Sequence, residues 1–65
     1  VTTCSDPKPG DLITHFDMSS SDYGYPVIII SRFERAYVGI LQVNGFEKRI
    51  SVAYVTDKWE VVWTV

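Results

Sequence analysis

Apolar and polar residues alternate along much of this chain with the period of two expected for β-strands, in short runs separated by turn-forming residues. Asp11 to Asp17 sets Leu12, Thr14 and Phe16 to one side and Ile13, His15 and Asp17 to the other. Ala36 to Val43 and Phe46 to Val52 flank Asn44-Gly45. Asn-Gly between two such runs is a strong hairpin signal, because a type I′ turn needs positive φ at both central residues. A two-residue loop places Val43 opposite Phe46. One face then carries Val43, Leu41, Gly39 and Tyr37 with Phe46, Lys48, Ile50 and Val52, and is almost wholly apolar. The other carries Gln42, Ile40 and Val38 with Glu47, Arg49 and Ser51. A slip of one residue would bury Glu47 and Arg49 together. Gly39, on the apolar face, marks a bend or a point where a neighbouring side chain crosses the strand.

Two more strands follow from the pattern. Val27 to Ile30 is a continuous β-branched run, which predicts a central strand buried on both faces. Pro26 sits where a strand start tolerates it. Trp59, Val61, Trp63 and Val65 alternate with Glu60, Val62 and Thr64, so the last strand is expected to close against the first through Trp59 and Val61. Thr56-Asp57-Lys58 reads as a short 3₁₀ step before it. The stretch 1–10, with Pro7 and Pro9, is an extended lead-in, and Met18 to Tyr25 is the longest irregular loop. The expected product is one all-β domain over residues 1–65 with five strands.

Composition narrows the sources of stability. A chain of 65 residues buries only about 60% of its unfolded surface. Cys4 is the only cysteine, so no disulfide forms within the chain, and it reads as an unpaired thiol. The supply of core residues is good, with 46% hydrophobic and 14% aromatic. Six basic residues against eight acidic ones give a net charge of −2, which disfavours bulk nucleic-acid binding. No apolar run approaches the roughly 18 residues of a membrane span, so no membrane partner is expected. No targeting segment is visible, and a lone cysteine suits a reducing, cytoplasmic setting.

Candidate chemistry is sparse. A catalytic His15 would need a nucleophile and an orienting partner, and a metal site would need more ligands than one histidine and one cysteine supply. The expectation is therefore no enzyme, no catalytic residue, no metal and no cofactor, with His15 structural. Binding residues are expected in the long loop at Tyr23 and Tyr25, whose rings give rigid contact area with a polar tip. Arg32 and Arg35 are candidates for a basic patch with Lys48 and Arg49, although Glu34 and Glu47 interleave with them. Trp63 is the fifth candidate, because a domain this small does not cover both Trp63 and Val65, and a bare apolar edge invites pairing.

The order strand, long loop, strand, short link, Asn-Gly hairpin, helical turn, strand is similar to that of SH3-like barrels. Lys8-Pro9-Gly10-Asp11-Leu12-Ile13 and Asp57-Lys58-Trp59-Glu60-Val61-Val62 resemble the two ends of small uncharacterised SH3-like proteins of phage and bacteria. The resemblance implies a five-stranded SH3-like barrel as fold, and for a phage protein an infected host cell as setting; it implies no activity. Eukaryotic peptide-binding SH3 domains are a poorer match, because their Ala-Leu-Tyr-Asp-Tyr strand is missing. The nucleotide-binding motifs of Sm-like rings are missing too. The function expected is a small interaction module for a protein partner, or for self-association through the C-terminal strand. A nucleic-acid-associated barrel is the alternative.

Overall fold

The computed structural model describes residues 6–64. It contains β1 (Leu12–His15), β2 (Val27–Arg32), β3 (Ala36–Leu41), β4 (Glu47–Ser51), α1 (Val52–Lys58) and β5 (Trp59–Trp63). The strands form one antiparallel sheet in the order β4-β3-β2-β1-β5. No ladder joins β4 to β5, so the sheet is open where a closed barrel was expected. The helix α1 bridges these two outer strands, packing on both.

That helix replaces the expected 3₁₀ step. Ser51 caps it, its hydroxyl accepting from the Tyr54 N–H at 3.3 Å, and Lys58 in the last turn suits the negative end of the helix dipole. Its one fully buried residue is Val55. Trp59 ends it, donating its backbone N–H to the Val55 carbonyl.

The core lies on the concave side of the sheet: Ile13, Val27, Ile29, Tyr37, Ile50, Val55 and Trp59, with Leu41, Val52 and Tyr54 packed around them. Strand β1 follows the alternation read from the sequence, with Ile13 and His15 inward and Leu12, Thr14 and Phe16 outward. Strand β2 is central, but it is not buried on both faces. Val27 and Ile29 are covered, whereas Ile28 and Ile30 stay 37% and 42% exposed, because the sheet has no second layer over its outer side.

The hairpin exists with a different turn. Leu41 donates to the Phe46 carbonyl at 2.8 Å, and the Gly45 N–H reaches the Leu41 carbonyl at 2.8 Å, so the loop runs from Gln42 to Gly45. Only Gly45 has positive φ, at 76°; Asn44 keeps negative φ and takes the Phe46 N–H on its side-chain oxygen at 2.9 Å. The cause is tertiary. The Gln42 N–H bonds the Pro26 carbonyl at 2.9 Å, which draws residue 42 toward β2 and out of the hairpin ladder. Tyr37 therefore pairs with Ile50 and Gly39 with Lys48, a two-position offset from the expected register that keeps the alternation of the paired residues of β3 and β4. Val43 and Phe46 fall outside the core.

Two irregularities shape the sheet. Ile30 is an extra residue in β2 opposite β3. In β5, Ile13 pairs with Val61 while its neighbour Leu12 pairs with Trp63, which leaves Val62 as the extra residue. A bulge of this kind re-aims the side chains beyond it.

Candidate functional site

The bulge at Val62 decides where Trp63 goes. Strict alternation puts Trp63 on the same side as Trp59, which is fully buried against His15 and Tyr54. With one extra residue, Trp63 instead stands opposite the outward residue Leu12 and is 59% exposed. It lines an apolar groove of about 430 Å³ with Gly10, Leu12, Ile28, Gln42 and Val62. The groove lies over β1 and β2, on the paired side of β5; the other edge of β5 has no strand partner among the described residues. Val61 is also partly exposed. Val65 and Cys4 lie outside the described residues.

A second set of side chains holds the loop between β1 and β2. Asp22 takes the Lys48 ammonium on one oxygen at 2.7 Å and the Tyr54 hydroxyl on the other at 2.8 Å. Burial pushes the Asp22 carboxyl up, but these two hydrogen bonds and the Lys48 charge outweigh it, so its pKa lies below 3.8. The Tyr54 hydroxyl is pushed above 10.0 by burial and by the facing carboxylate, against opposing contributions from Ser20 and Lys48. His15 is 3% exposed; its Nδ1 accepts the Asp17 N–H at 3.0 Å, and its ring packs on Tyr54 and Trp59. Asp17 in turn accepts from the hydroxyl and the N–H of Ser19.

Asp11 ties Thr64 to the segment before β1. Its carboxylate receives the Thr64 hydroxyl at 2.5 Å and the Lys8 N–H at 3.0 Å, and burial, which raises its pKa, is again outweighed by these bonds and the Lys8 charge. A group with a depressed folded-state pKa adds stability that is complete above its unfolded value and is lost as the pH falls through the folded one. The protein is therefore expected to hold its thermal stability down to about pH 5 and to lose it below about pH 4. Asp22→Asn should be less stable near neutral pH and should show a shallower acid limb. Thermal melts followed by circular dichroism across this range check both; an unchanged limb in the variant would remove Asp22 from the account.

The sequence candidates do not converge. Tyr23 and Tyr25 are in the loop and about half exposed, as expected of loop aromatics. Arg32 stacks over the Tyr37 ring at 4.9 Å, reaches Asp6 at 3.9 Å and donates to the Phe33 and Glu34 carbonyls. Arg49 lies over Phe33 at 5.7 Å and Lys48 is bound to Asp22. Arg35 is exposed, and its carbonyl takes the Val52 N–H. Trp63 gathers partners that sequence reasoning did not single out, namely Leu12, Ile28 and Val62. Their signal was the outward parity of Leu12 and Ile28, unreadable as a site without the bulge. Among the described residues no three histidine, cysteine or acidic side chains are placed to hold a metal ion. Among the described residues no helix is long and apolar enough to cross a membrane. Comparison with protein families, with curated proteins and with solved structures finds no match for this chain.

Proposed function

We propose that this chain is a small interaction module that docks through its C-terminal strand, taking up a second copy of itself or a strand of a protein partner. The observation that carries the reading is the half-exposed Trp63, with Val62, on a strand whose outer edge is unpaired among the described residues and whose other side borders an apolar groove. An open edge offers unsatisfied N–H and C=O groups that another strand can satisfy, and the flanking apolar side chains favour its capture. The finer architecture proposed with it is that of an SH3-like barrel of the phage or bacterial kind. The strand order, the long β1–β2 loop, the β3–β4 hairpin and the helical link between β4 and β5 support that reading.

A nucleic-acid role draws less support, since Arg32, Lys48 and Arg49 are each engaged within the chain. A catalytic role draws less still, because His15 is packed in the core.

The test is sedimentation across a concentration series. The wild type is expected to associate, and Trp63→Lys to sediment as a single chain with its melting temperature little changed. A wild type that stays a single chain at every concentration, with Trp63→Lys indistinguishable from it, would overturn self-association as the use of this edge.

A further inference from the structure

A second cavity, of about 340 Å³, opens on the sheet near the start of β5, lined by Thr14, His15, Phe16, Tyr23, Gly24 and Glu60. Its parts come from three places and are each held. Thr14 and Glu60 are directly paired across β1 and β5, so their side chains rise on the same face. Phe16 is tied to the start of β5 by its N–H to the Lys58 carbonyl at 3.2 Å. Tyr23 follows Asp22, which Lys48 and Tyr54 anchor from two sides. His15 forms the inner wall, backed by Trp59 and Tyr54.

The chemistry of the lining is one-sided. Glu60 is half-buried, and among the described residues it forms no ion pair. The nearest lysine in sequence, Lys58, is beside Asp57 at 3.8 Å. Phe16 and Tyr23 both border the cavity; Phe16 meets the His15 ring at a centroid distance of 6.1 Å with a tilt of 41°, and Tyr23 forms no aromatic pair among the described residues. Gly24 has open space where a side chain would stand, which leaves the mouth clear. A carboxylate without a cation, flanked by aromatic rings in a cavity of ligand size, is complementary to an organic cation whose charge sits on an alkylated nitrogen. A metal ion or an anion is not: the first wants several oxygen or nitrogen ligands, and the second would meet Glu60.

We propose that this cavity recognises an alkylammonium group, held by the charge of Glu60 and the ring faces of Phe16 and Tyr23. The group is either a free small amine or the side chain of a lysine on a protein. The site is separate from the Trp63 groove, so its failure or success leaves the strand-docking reading untouched.

The test is a titration of the ¹⁵N-labelled protein followed by amide chemical shifts. The probes are choline, its uncharged isostere 3,3-dimethyl-1-butanol, and the amide of N-acetyl-trimethyllysine. Choline is expected to give saturable shifts confined to residues 14–16, 23–24 and 59–61, and the neutral alcohol to bind at least about fivefold more weakly. Glu60→Gln and Tyr23→Ala, both at partly exposed positions, should each weaken choline binding by about fivefold while the remaining spectrum stays native. Tighter binding of the lysine derivative than of choline identifies a protein side chain as the source, and the reverse order a free amine. No saturable shift, equal binding of the neutral alcohol, or unchanged affinity in Glu60→Gln would each overturn the proposal.

Discussion

Trp59→Ala is expected to be unfolded at room temperature. The indole is fully buried, meets His15 and Tyr54 edge-on with ring centroids 5.4 and 6.0 Å away, and sits in the same cluster as Val55 and Ile13. It is also the residue where α1 stops and β5 begins, so one ring fixes both the helix and the strand that β1 pairs with. Removing a buried tryptophan costs about 3–5 kcal/mol. A domain of this length has of order 3–10 kcal/mol in total at roughly 0.05–0.15 kcal/mol per residue. The loss therefore takes from about a third of it to all of it, and the small size of the domain places the outcome toward the upper end. The indole Nε1–H is buried without a hydrogen-bond acceptor, so the cost is one of packing, and Trp59→Phe should be much milder. Circular dichroism and the dispersion of amide resonances distinguish the outcomes; a folded Trp59→Ala melting within about 5 °C of the wild type would refute the role given to this ring.

The second large effect is expected at Gly39. In an ordinary strand, glycine to alanine is favourable by about 0.5–1 kcal/mol, because glycine loses more backbone freedom on folding. Here the sign should reverse. A Cβ on residue 39 would collide with Val27 Cγ1 and stand 2.7 Å from the Ile28 carbonyl oxygen. The first neighbour is a fully buried core side chain and the second is backbone of the paired strand, so neither can give way cheaply. Overpacking of this kind costs about 1–3 kcal/mol, which for a domain this small lowers the melting temperature by roughly 5–20 °C. Val27→Ala in the same chain removes Cγ1 but not the carbonyl, so the double variant should be more stable than the two separate losses predict. Strict additivity of the two changes would show that the residues do not meet.

Local pattern and tertiary structure contributed unequally to what could be read in advance. The alternation of β1, the hairpin around residues 36–51 and the side-chain parity of β3 and β4 follow from the pattern alone, although the pattern did not say which face of β1 turns inward. Gly39 was legible as a bend or a crossing, and the close approach of Val27 decides for the crossing. The turn was not. Asn-Gly permits the tight type I′ loop, but the Gln42–Pro26 hydrogen bond belongs to a different strand pair and outbids it. The four-residue run Val27–Ile30 shows that a strand exists, not whether a second layer covers it. The helix α1 had a signal that periodicity overlooked: Ser51 stands where a capping residue is expected, ahead of a segment with no strand alternation. The exposure of Trp63 was anticipated from domain size, whereas the groove beside it depends on the bulge at Val62, which no local pattern announces.

The ammonium of Lys8 donates to the Thr64 hydroxyl at 3.2 Å, and Thr64 donates to Asp11. Thr64 is thus held against the segment that leads into β1, next to Gly10 in the groove lining. A bulky group carried at position 64 is therefore liable to shield the groove. The exposed Asn44-Gly45 tip, by contrast, is where an insertion would leave the sheet order intact.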